Sequence, residues 1–324
     1  MVGRISSSLF ILVALVIAVA FSTARAAYPE RTMRILVPFT AGGGTDILAR
    51  MIGQKMTDAW GQQVVVENRP GANGIVAAEI TARSNPDGYS LLFVAIGHAI
   101  NPLLQKKLPY DTERDFTPVS LTAILPLIAI VHPSIKATNL KELIALAKSG
   151  SKPLSYASGG VGSSQHLATE LMLHMAGAKM THVPYKGGNQ GLLDLVGGHV
   201  DVMVTAILTA GPQIHAGKAR ALAVTTAQRN SAFPDVPTMA EAGLKGYESV
   251  AWYGMVAPGG LPAPVLAKLA GVVSHAPRSA DMRDALIKQG AEPVGSSPRD
   301  FGAFIRKETA RYSAVIREKG VMAE

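Results

Sequence analysis

The sequence has no cysteine among its 324 residues. This absence excludes disulfide bonds, thiolate catalysis, zinc fingers and iron–sulfur clusters. Aromatic residues make up only 6% of the chain and do not alternate with lysine and arginine, which argues against a groove for single-stranded nucleic acid. Basic runs are missing as well: the formal net charge is +8, but no run of lysine and arginine exceeds a pair such as Lys106-Lys107. We therefore expect no nucleic-acid partner.

The first 26 residues have the layout of a secretory signal peptide. Arg4 provides a basic start, Leu9 to Phe21 is an uncharged apolar run, and Ala24-Arg25-Ala26 places small residues where a signal peptidase reads. The run is shorter than the ~20 residues of a membrane-spanning helix, although an uncleaved anchor remains the alternative. We expect cleavage near Ala26 and, because a secreted chain without cysteine suits the bacterial periplasm, a periplasmic protein.

Short apolar runs alternate with helical patterns along the rest of the chain. The patterns predict strands at 33–38, 64–67, 89–95, 127–131, 154–157, 180–184, 200–204, 219–225 and 252–257, and helices at 47–56, 75–83, 139–150, 164–176, 190–196 and 298–319. This alternation predicts an α/β protein with mostly parallel sheets. At ~150 residues per domain the length suggests two domains. Since no flexible linker separates them, we expect ordered crossing strands near Ala123–Leu127 and Gly246–Ala251.

Two glycine-rich loops each lie between a predicted strand and a predicted helix, at residues 38–46 and 158–166. Such loops lie at the carboxyl ends of parallel strands, where ligands bind. Glycine lets a ligand approach the backbone, and the following helix offers unpaired N–H groups and its positive dipole end. The loops therefore predict two small anion sites. Alternatively, they are only tight turns with Thr45 and Ser163 as N-caps.

One helix carries His166, Glu170 and His174 at i, i+4 and i+8. The two histidines are two turns, ~12 Å, apart along the axis, so one metal ion cannot bridge them, and we expect no metal site. His166 leaves a second function open: a periplasmic hydrolase acting through Ser163 or Ser164. A histidine at the same helix start is poorly placed to activate either serine. A transcription regulator is a third possibility, but it requires a helix-turn-helix where the signal peptide lies.

Seven ordered motifs make the sequence resemble the periplasmic substrate-binding proteins of tripartite tricarboxylate transporters, the Bug family. The motifs are VPFTAGGGTDILAR (37–50), VVVENRPGANG (64–74), NPDGYSLL (85–92), YASGGVGSSQHLATEL (156–171), HVPYKGGNQGLLDLVGG (182–198), RALAVTTAQR (220–229) and FPDVPTMAEAG (233–243). The resemblance covers essentially the whole chain after residue 26. It implies a two-lobed, type II-like periplasmic binding protein. Lobe 1 would comprise residues 27–125 and 250–324, and lobe 2 residues 126–249.

The resemblance also implies the ligand and its site. The ligand would be a small organic acid bound between the lobes, with its carboxylate held by backbone N–H groups, hydroxyls and bridging waters. The partners would be the subunits of a membrane transporter, and the protein would be a monomer without enzymatic activity, cofactor or metal. The implied ligand-binding residues are Phe39, Thr40, Gly42, Gly43, Thr45, Asp46, Gly97, His98, Ser158, Gly159, Gly162, Ser163, His166, Tyr185 and Thr205. At the last of these positions many family members have Phe-Asp, whereas this chain has Val204-Thr205 and so lacks a carboxylate near the cleft.

Overall fold

A computed structural model describes residues 28–150, 153–288 and 290–319, so the predicted signal peptide lies outside the described residues. The strands are β1 (Met33–Val37), β2 (Val64–Asn68), β3 (Ser90–Val94), β4 (Phe116–Val131), β5 (Ser155–Ser158), β6 (Thr181–Pro184), β7 (Val202–Ala206), β8 (Arg220–Val224), β9 (Val250–Pro258) and β10 (Glu292–Pro293). The helices are α1 (Gly44–Trp60), α2 (Ile75–Ala82), α3 (Gly97–Leu104), α4 (Leu140–Ser149), α5 (Ser164–Ala176), α6 (Gly188–Val196), α7 (Ile207–His215), α8 (Ala263–His275), α9 (Ala280–Lys288) and α10 (Pro298–Lys319). None of the helices in the described ranges is long and apolar enough to cross a membrane.

Local capping explains why several predicted helices begin and end where they do. Asn139 caps α4 by accepting a hydrogen bond from the Glu142 N–H (3.0 Å), and Ser163 caps α5 by accepting one from the His166 N–H (3.3 Å). Both helices end at a glycine in the left-handed region, Gly150 and Gly177, a conformation that other residues adopt only with strain. The predicted bounds of α5, residues 164–176, are those of the structure.

Two sheets share the long strand β4. In the first sheet, β1 pairs in parallel with β2 and β3, while β9 lies antiparallel between β3 and β4. In the second sheet, β5 pairs in parallel with β6 and β7, while β4 pairs antiparallel with β7 and β8. β4 pairs with β9 as far as Pro126 and with β7 from Leu127 onwards. The α/β class is confirmed, and the lobe boundaries derived from the sequence stay a prediction.

The prediction of mostly parallel sheets is wrong, because each sheet is mixed. The parallel strands are the ones joined through helices, as in βαβ units. The antiparallel pairs all involve β4 or β9. These two strands run in opposite directions beside each other, and such a pairing is not expressed in the local hydrophobic pattern.

The elements that the sequence patterns did not predict include α3, α7 and the first half of β4. Pro102 and Pro212 lie inside the two helices, and Pro118 and Pro126 lie inside the strand. Proline removes a backbone donor and normally ends such elements. Tertiary packing overrides that preference here, since β4 is covered by α8 and α10 and is buried over most of its length.

Close packing at one glycine attaches α10 to the first sheet. Phe301 of α10 lies across Gly254 of β9, and its ring meets the indole of Trp252 edge to face with centroids 6.0 Å apart. A Cβ on Gly254 would overlap the Phe301 ring and lie 2.8 Å from the carbonyl oxygen of Ser120. Backbone cannot move aside as a flexible side chain can, so this position requires glycine.

We expect Gly254→Ala to destabilise the protein by about 1–3 kcal/mol, the usual cost of overpacking a core. Gly271→Ala in α8 is the matched control, because its Cβ would meet nothing within 4 Å. Alanine there should stabilise the helix by about 0.5–1 kcal/mol. Urea denaturation of both variants measures the difference, and equal stability of Gly254→Ala and the unaltered chain would contradict the packing argument.

Candidate functional site

The amino ends of five helices meet at one cavity, which we call the central cavity. Its volume is about 30 Å³. The residues that line it lie at or beside the first turns of α1, α3, α5, α6 and α7, with one tyrosine from β9: Phe39, Gly43, Gly44, Thr45, Ala95, Ile96, Ser163, Ser164, Gln165, Gly188, Ala206, Thr209 and Tyr253. Helix amino ends carry partial positive charge, so several of them at one point favour an anion.

The first turns of α1 and α5 offer unpaired donors beside this cavity. Within the described residues, the N–H groups of Gly44, Thr45 and Asp46 have no hydrogen-bond acceptor, and neither do those of Ser164 and Gln165. Helices leave their first N–H groups without an internal partner, and an anion can accept from them. The two predicted loops therefore both present backbone donors.

The lining of the central cavity has no carboxylate and no basic side chain. Burial raises the pKa of the Tyr253 phenol to about 12, so its hydroxyl stays protonated. The remaining polar side chains are hydroxyls and the Gln165 amide. No group of at least three histidine, aspartate or glutamate residues suited to hold a metal occurs in the described part of the chain. The positive field of the helix ends is therefore not offset by an acidic side chain in the lining.

The Asp46 side chain supports the first loop by hydrogen bonds and does not line the central cavity. Its carboxylate accepts hydrogen bonds from the Gly42 N–H (3.0 Å), from Arg50 (3.1 Å) and from Asn68 (2.9 Å). Burial by itself raises the pKa of this carboxyl, but the three hydrogen bonds outweigh it and hold the pKa below its ordinary value. Gly42, at φ 81°, makes the turn that this arrangement needs, whereas Gly43 has an ordinary φ of −81°.

Two side chains, those of Ser158 and Gln165, support the second loop in the same way. Ser158 Oγ accepts from the Gly160 N–H (3.1 Å), and Gln165 Oε1 accepts from the Gly159 N–H (2.9 Å). The Gln165 amide also donates to Thr205 Oγ1 (3.3 Å), which connects the loop to the end of β7. Side chains thus occupy the loop's own amides and leave those of the helix end exposed to the cavity.

His166 supports this loop from behind through its ring. Its Nδ1 accepts from the Gly162 N–H (3.2 Å), which requires a neutral ring protonated at Nε2. The ring packs on His182, with centroids 4.4 Å apart, and both lie near Tyr156. Burial lowers the pKa of both imidazoles to about 4, and for His182 the neighbouring His166 adds to the shift.

The geometry does not support the hydrolase alternative. The Ser163 hydroxyl accepts from the His166 backbone, and the His166 ring bonds Gly162 instead of either serine hydroxyl. Ser158 Oγ does lie 2.7 Å from His182 Nε2, but Ser158 is completely buried, so a substrate cannot reach it.

Two further cavities, one larger and one smaller, adjoin the central one, and Phe39 lines all three. The side cavity, of about 200 Å³, is lined by Pro38, Phe39, Gly71, Ala72, Asn73, Asn101, Leu104, Gln105, Gly159, Gly160, Val161, Tyr185 and Lys186. The inner cavity, of about 10 Å³, is lined by Pro38, Phe39, Asn73, Gly74, Ala78, Leu92, Val94, Ala95, Gly97, His98, Asn101 and Tyr110. His98 is buried there, and burial lowers its pKa to about 4.

The residues expected from the sequence thus fall into three groups. Those lining the central cavity are Phe39, Gly43, Thr45 and Ser163. Those lining the side or inner cavity are Gly159, Tyr185, Gly97 and His98. Those outside all three linings are Thr40, Gly42, Asp46, Ser158, Gly162, His166 and Thr205. Four residues of the central lining were not expected from the sequence: Gln165, Gly188, Thr209 and Tyr253. The glycine pair 187–188 before a helix was a usable signal for Gly188.

Contacts across the cleft hold the first loop against the segment that precedes α6. The Thr40 N–H donates to the Lys186 carbonyl (3.3 Å), and the Asn189 side chain donates to the Ala41 carbonyl (3.3 Å). A Cβ on Gly187 would overlap the Thr40 side chain. Only glycine permits this approach, so the two sides meet closely around the central cavity.

Comparison with known proteins shows the family and the fold of this chain. The family model described as tripartite tricarboxylate transporter family receptor matches residues 48–321. A Rhodopseudomonas palustris protein solved with adipate is 38% identical with a TM-score of 0.88, covering 90% of this chain and 98% of that one. MatC of the same species, solved with bound malate, is 35% identical with a TM-score of 0.84, covering 89% and 100%. The periplasmic binding protein BugD is 34% identical with a TM-score of 0.88, covering 92% and 100%. The resemblance to the Bug family and the two-lobed binding-protein fold are confirmed.

We expect the protein to lose stability as the pH falls from about 6.5 towards 4. Burial lowers the folded-state pKa of His98, His166 and His182 to about 4, against 6.5 in the unfolded chain. The unfolded state therefore binds more protons in this window, and stability present above pH 6.5 declines by up to about 1.4 kcal/mol per pH unit for each histidine. Urea denaturation at several pH values measures the slope.

One variant assigns part of that slope to a single ring. His166→Gln should make the slope shallower, because it removes one of the three buried imidazoles. A stability that does not change between pH 6.5 and 4 would show that these rings are not held neutral by burial.

Proposed function

The chain belongs to the tripartite tricarboxylate transporter receptor family, and from this premise we propose that it is a periplasmic receptor for a small organic acid. The acid binds through a carboxylate in the cleft between the lobes. The loaded receptor then delivers it to the membrane subunits of a tripartite transporter. The protein acts as a monomer and does not alter the ligand chemically.

The observation that carries this proposal is the convergence of helix amino ends on a cavity without charged side chains. The N–H groups of Gly44, Thr45, Ser164 and Gln165 are donors without acceptors, and an anion is their natural partner. Each helix end contributes about 0.3–1 kcal/mol to binding an anion, and up to about 2 kcal/mol in partly buried geometry. A cation or an uncharged sugar would not gain from this field.

The size of the central cavity agrees with a carboxylate as the group that is held. At ~10–15 Å³ for each water-sized group, about 30 Å³ accommodates two oxygen atoms. The relatives solved with adipate and with malate contain ligands with carboxylates. Both support an organic acid as the ligand class for this chain.

Location and delivery follow from the family and from residues 1–26. The predicted signal peptide would export the chain to the periplasm, where BugD is named as a binding protein. Because both lobes touch the ligand, its binding would stabilise the closed shape over the open one. The transporter could then distinguish the loaded receptor by its shape.

We expect at least one member of a carboxylate panel of malate, adipate and citrate to raise the melting temperature. A ligand at 100 times its dissociation constant adds about 2.7 kcal/mol of stability. Gly43→Val should weaken that binding at least about tenfold, because the valine side chain would occupy the central cavity. The variant should still fold, since valine fits the local backbone (φ −81°, ψ 166°) and a Cβ at this position meets only Thr40 O, at 3.8 Å. Thermal shift followed by calorimetry measures both effects.

Gly271→Ala is the control for this variant and should bind like the unaltered chain. Stabilisation by polyamines or sugars alone would contradict the anion argument. So would carboxylate binding by Gly43→Val at the original affinity.

We also expect saturating ligand to reduce the radius of gyration measured by small-angle X-ray scattering. The contacts of Thr40 with Lys186 and of Asn189 with Ala41 cross the cleft, and without ligand they are too few to keep it closed. The strands β4 and β9 near Pro126 and Val250 would absorb the rotation. An unchanged scattering curve, with calorimetry showing full occupancy, would mean a static pocket.

A further inference from the structure

Phe39 divides the cleft into a small anion-binding part and a larger part whose lining has one charged residue, the exposed Lys186. The central cavity accommodates little more than a carboxylate, so the rest of a ligand must extend past Phe39. Beyond that ring lies the side cavity of about 200 Å³, which both sides of the cleft line. Its polar side chains include the amides of Asn73, Asn101 and Gln105.

Asn73 is held in a strained conformation at the boundary of the side and inner cavities. Its backbone lies in the left-handed region, at φ 49° and ψ 38°, as does that of the preceding Ala72, at φ 45°. Such strain in residues other than glycine persists only where the surrounding structure enforces it, and it concentrates at functional sites. Here the enforcing partner is Asn101 on α3.

The hydrogen bonds between the two asparagines settle which way the Asn73 amide points. Asn101 Nδ2 donates to the Asn73 backbone carbonyl (3.1 Å), so Asn101 Oδ1 is the atom that accepts from Asn73 Nδ2 (3.0 Å). Reversing the Asn73 amide would bring two oxygens together. Asn73 Oδ1 therefore faces away from Asn101, and it is buried without a hydrogen-bond donor.

One further buried polar atom without a partner, His98 Nδ1, lies in the lining of the same inner cavity. Buried polar atoms are nearly always paired, so two such atoms beside one cavity point to an external partner. Since Asn73 Oδ1 can only accept, that partner must bring a hydrogen-bond donor.

We propose that Asn73, at the junction of the side and inner cavities, forms a second subsite that takes a neutral hydrogen-bond donor at the far end of the ligand. The ligand is then an organic acid whose other end is a carboxamide or hydroxyl, and the inference rests on the proposed function. A second carboxylate has no donor at neutral pH and would face Asn73 Oδ1 acceptor to acceptor. Lys186 could attract a carboxylate, but its side chain is exposed, where ion pairs contribute little.

The test compares matched ligands by calorimetry on the purified protein. The probes are succinate, glutarate, adipate and pimelate, each beside its half-amide, in which one carboxylate is replaced by a carboxamide. At the chain length that spans the two subsites, the half-amide should bind at least about fivefold tighter than the diacid. That length also measures the distance from the central cavity to Asn73.

Asn73→Gly removes the amide while glycine keeps the left-handed backbone. It should abolish the preference for the half-amide by weakening half-amide binding at least about fivefold, without weakening diacid binding to the same extent. Ala72→Gly is the matched control, because it relaxes the neighbouring left-handed residue without removing a polar group, and its preference should persist. A crystal structure with the half-amide should place the amide nitrogen within hydrogen-bond distance of Asn73 Oδ1.

Several results would overturn the second subsite while leaving the receptor proposal intact. These are equal binding of half-amide and diacid, equal weakening of both by Asn73→Gly, and an ordered water on Asn73 Oδ1 with the amide elsewhere. Another such result is that the diacid binds more tightly than the half-amide and that Lys186→Gln removes this difference. It would show that the site recognises a negative charge at the far end of the ligand. If no acid of the panel binds, the proposed function fails and the subsite with it.

Discussion

The convergence of helix amino ends on one uncharged cavity is the constraint around which this protein is organised. A helix end carries only a fraction of a charge, and its effect falls off within one turn. Several ends must therefore be brought within contact of the same small space, and side chains that would neutralise them must be kept out. The glycines of the two loops, the strand ends that precede them and the positions of the five converging helices agree with that requirement.

The polar side chains of the two loops are used mainly to build the loops. Asp46 binds the Gly42 N–H, Ser158 binds the Gly160 N–H, and His166 binds the Gly162 N–H. Each satisfies an amide that would otherwise compete for a ligand or cost free energy when buried. The helix-end amides are left without partners, so the backbone provides the free donors beside the cavity and the side chains support the loops.

The crossing strands unite the two halves of the site. β4 takes part in both sheets, and β9 contributes Tyr253 to the cavity wall. The central cavity is therefore bounded by both loops and by one of these strands. Phe39 lines both this cavity and the side cavity around Asn73, and the two differ in volume and in the polar groups of their lining.

The sequence by itself determined the features that depend on local chemistry. The glycine loops, the N-caps Asn139 and Ser163, and the alternation of strands and helices are each expressed within a few neighbouring residues, and they led to the fold class and the family. Only the tertiary structure decided what depends on residues distant in the chain. It placed Asp46 and His166 behind their loops, His98 in an inner cavity and Tyr253 in the cleft, and it made the sheets mixed. The physical reason is that a side chain's role depends on which donors and acceptors surround it after folding, and strand direction is set by long-range pairing that no local pattern records.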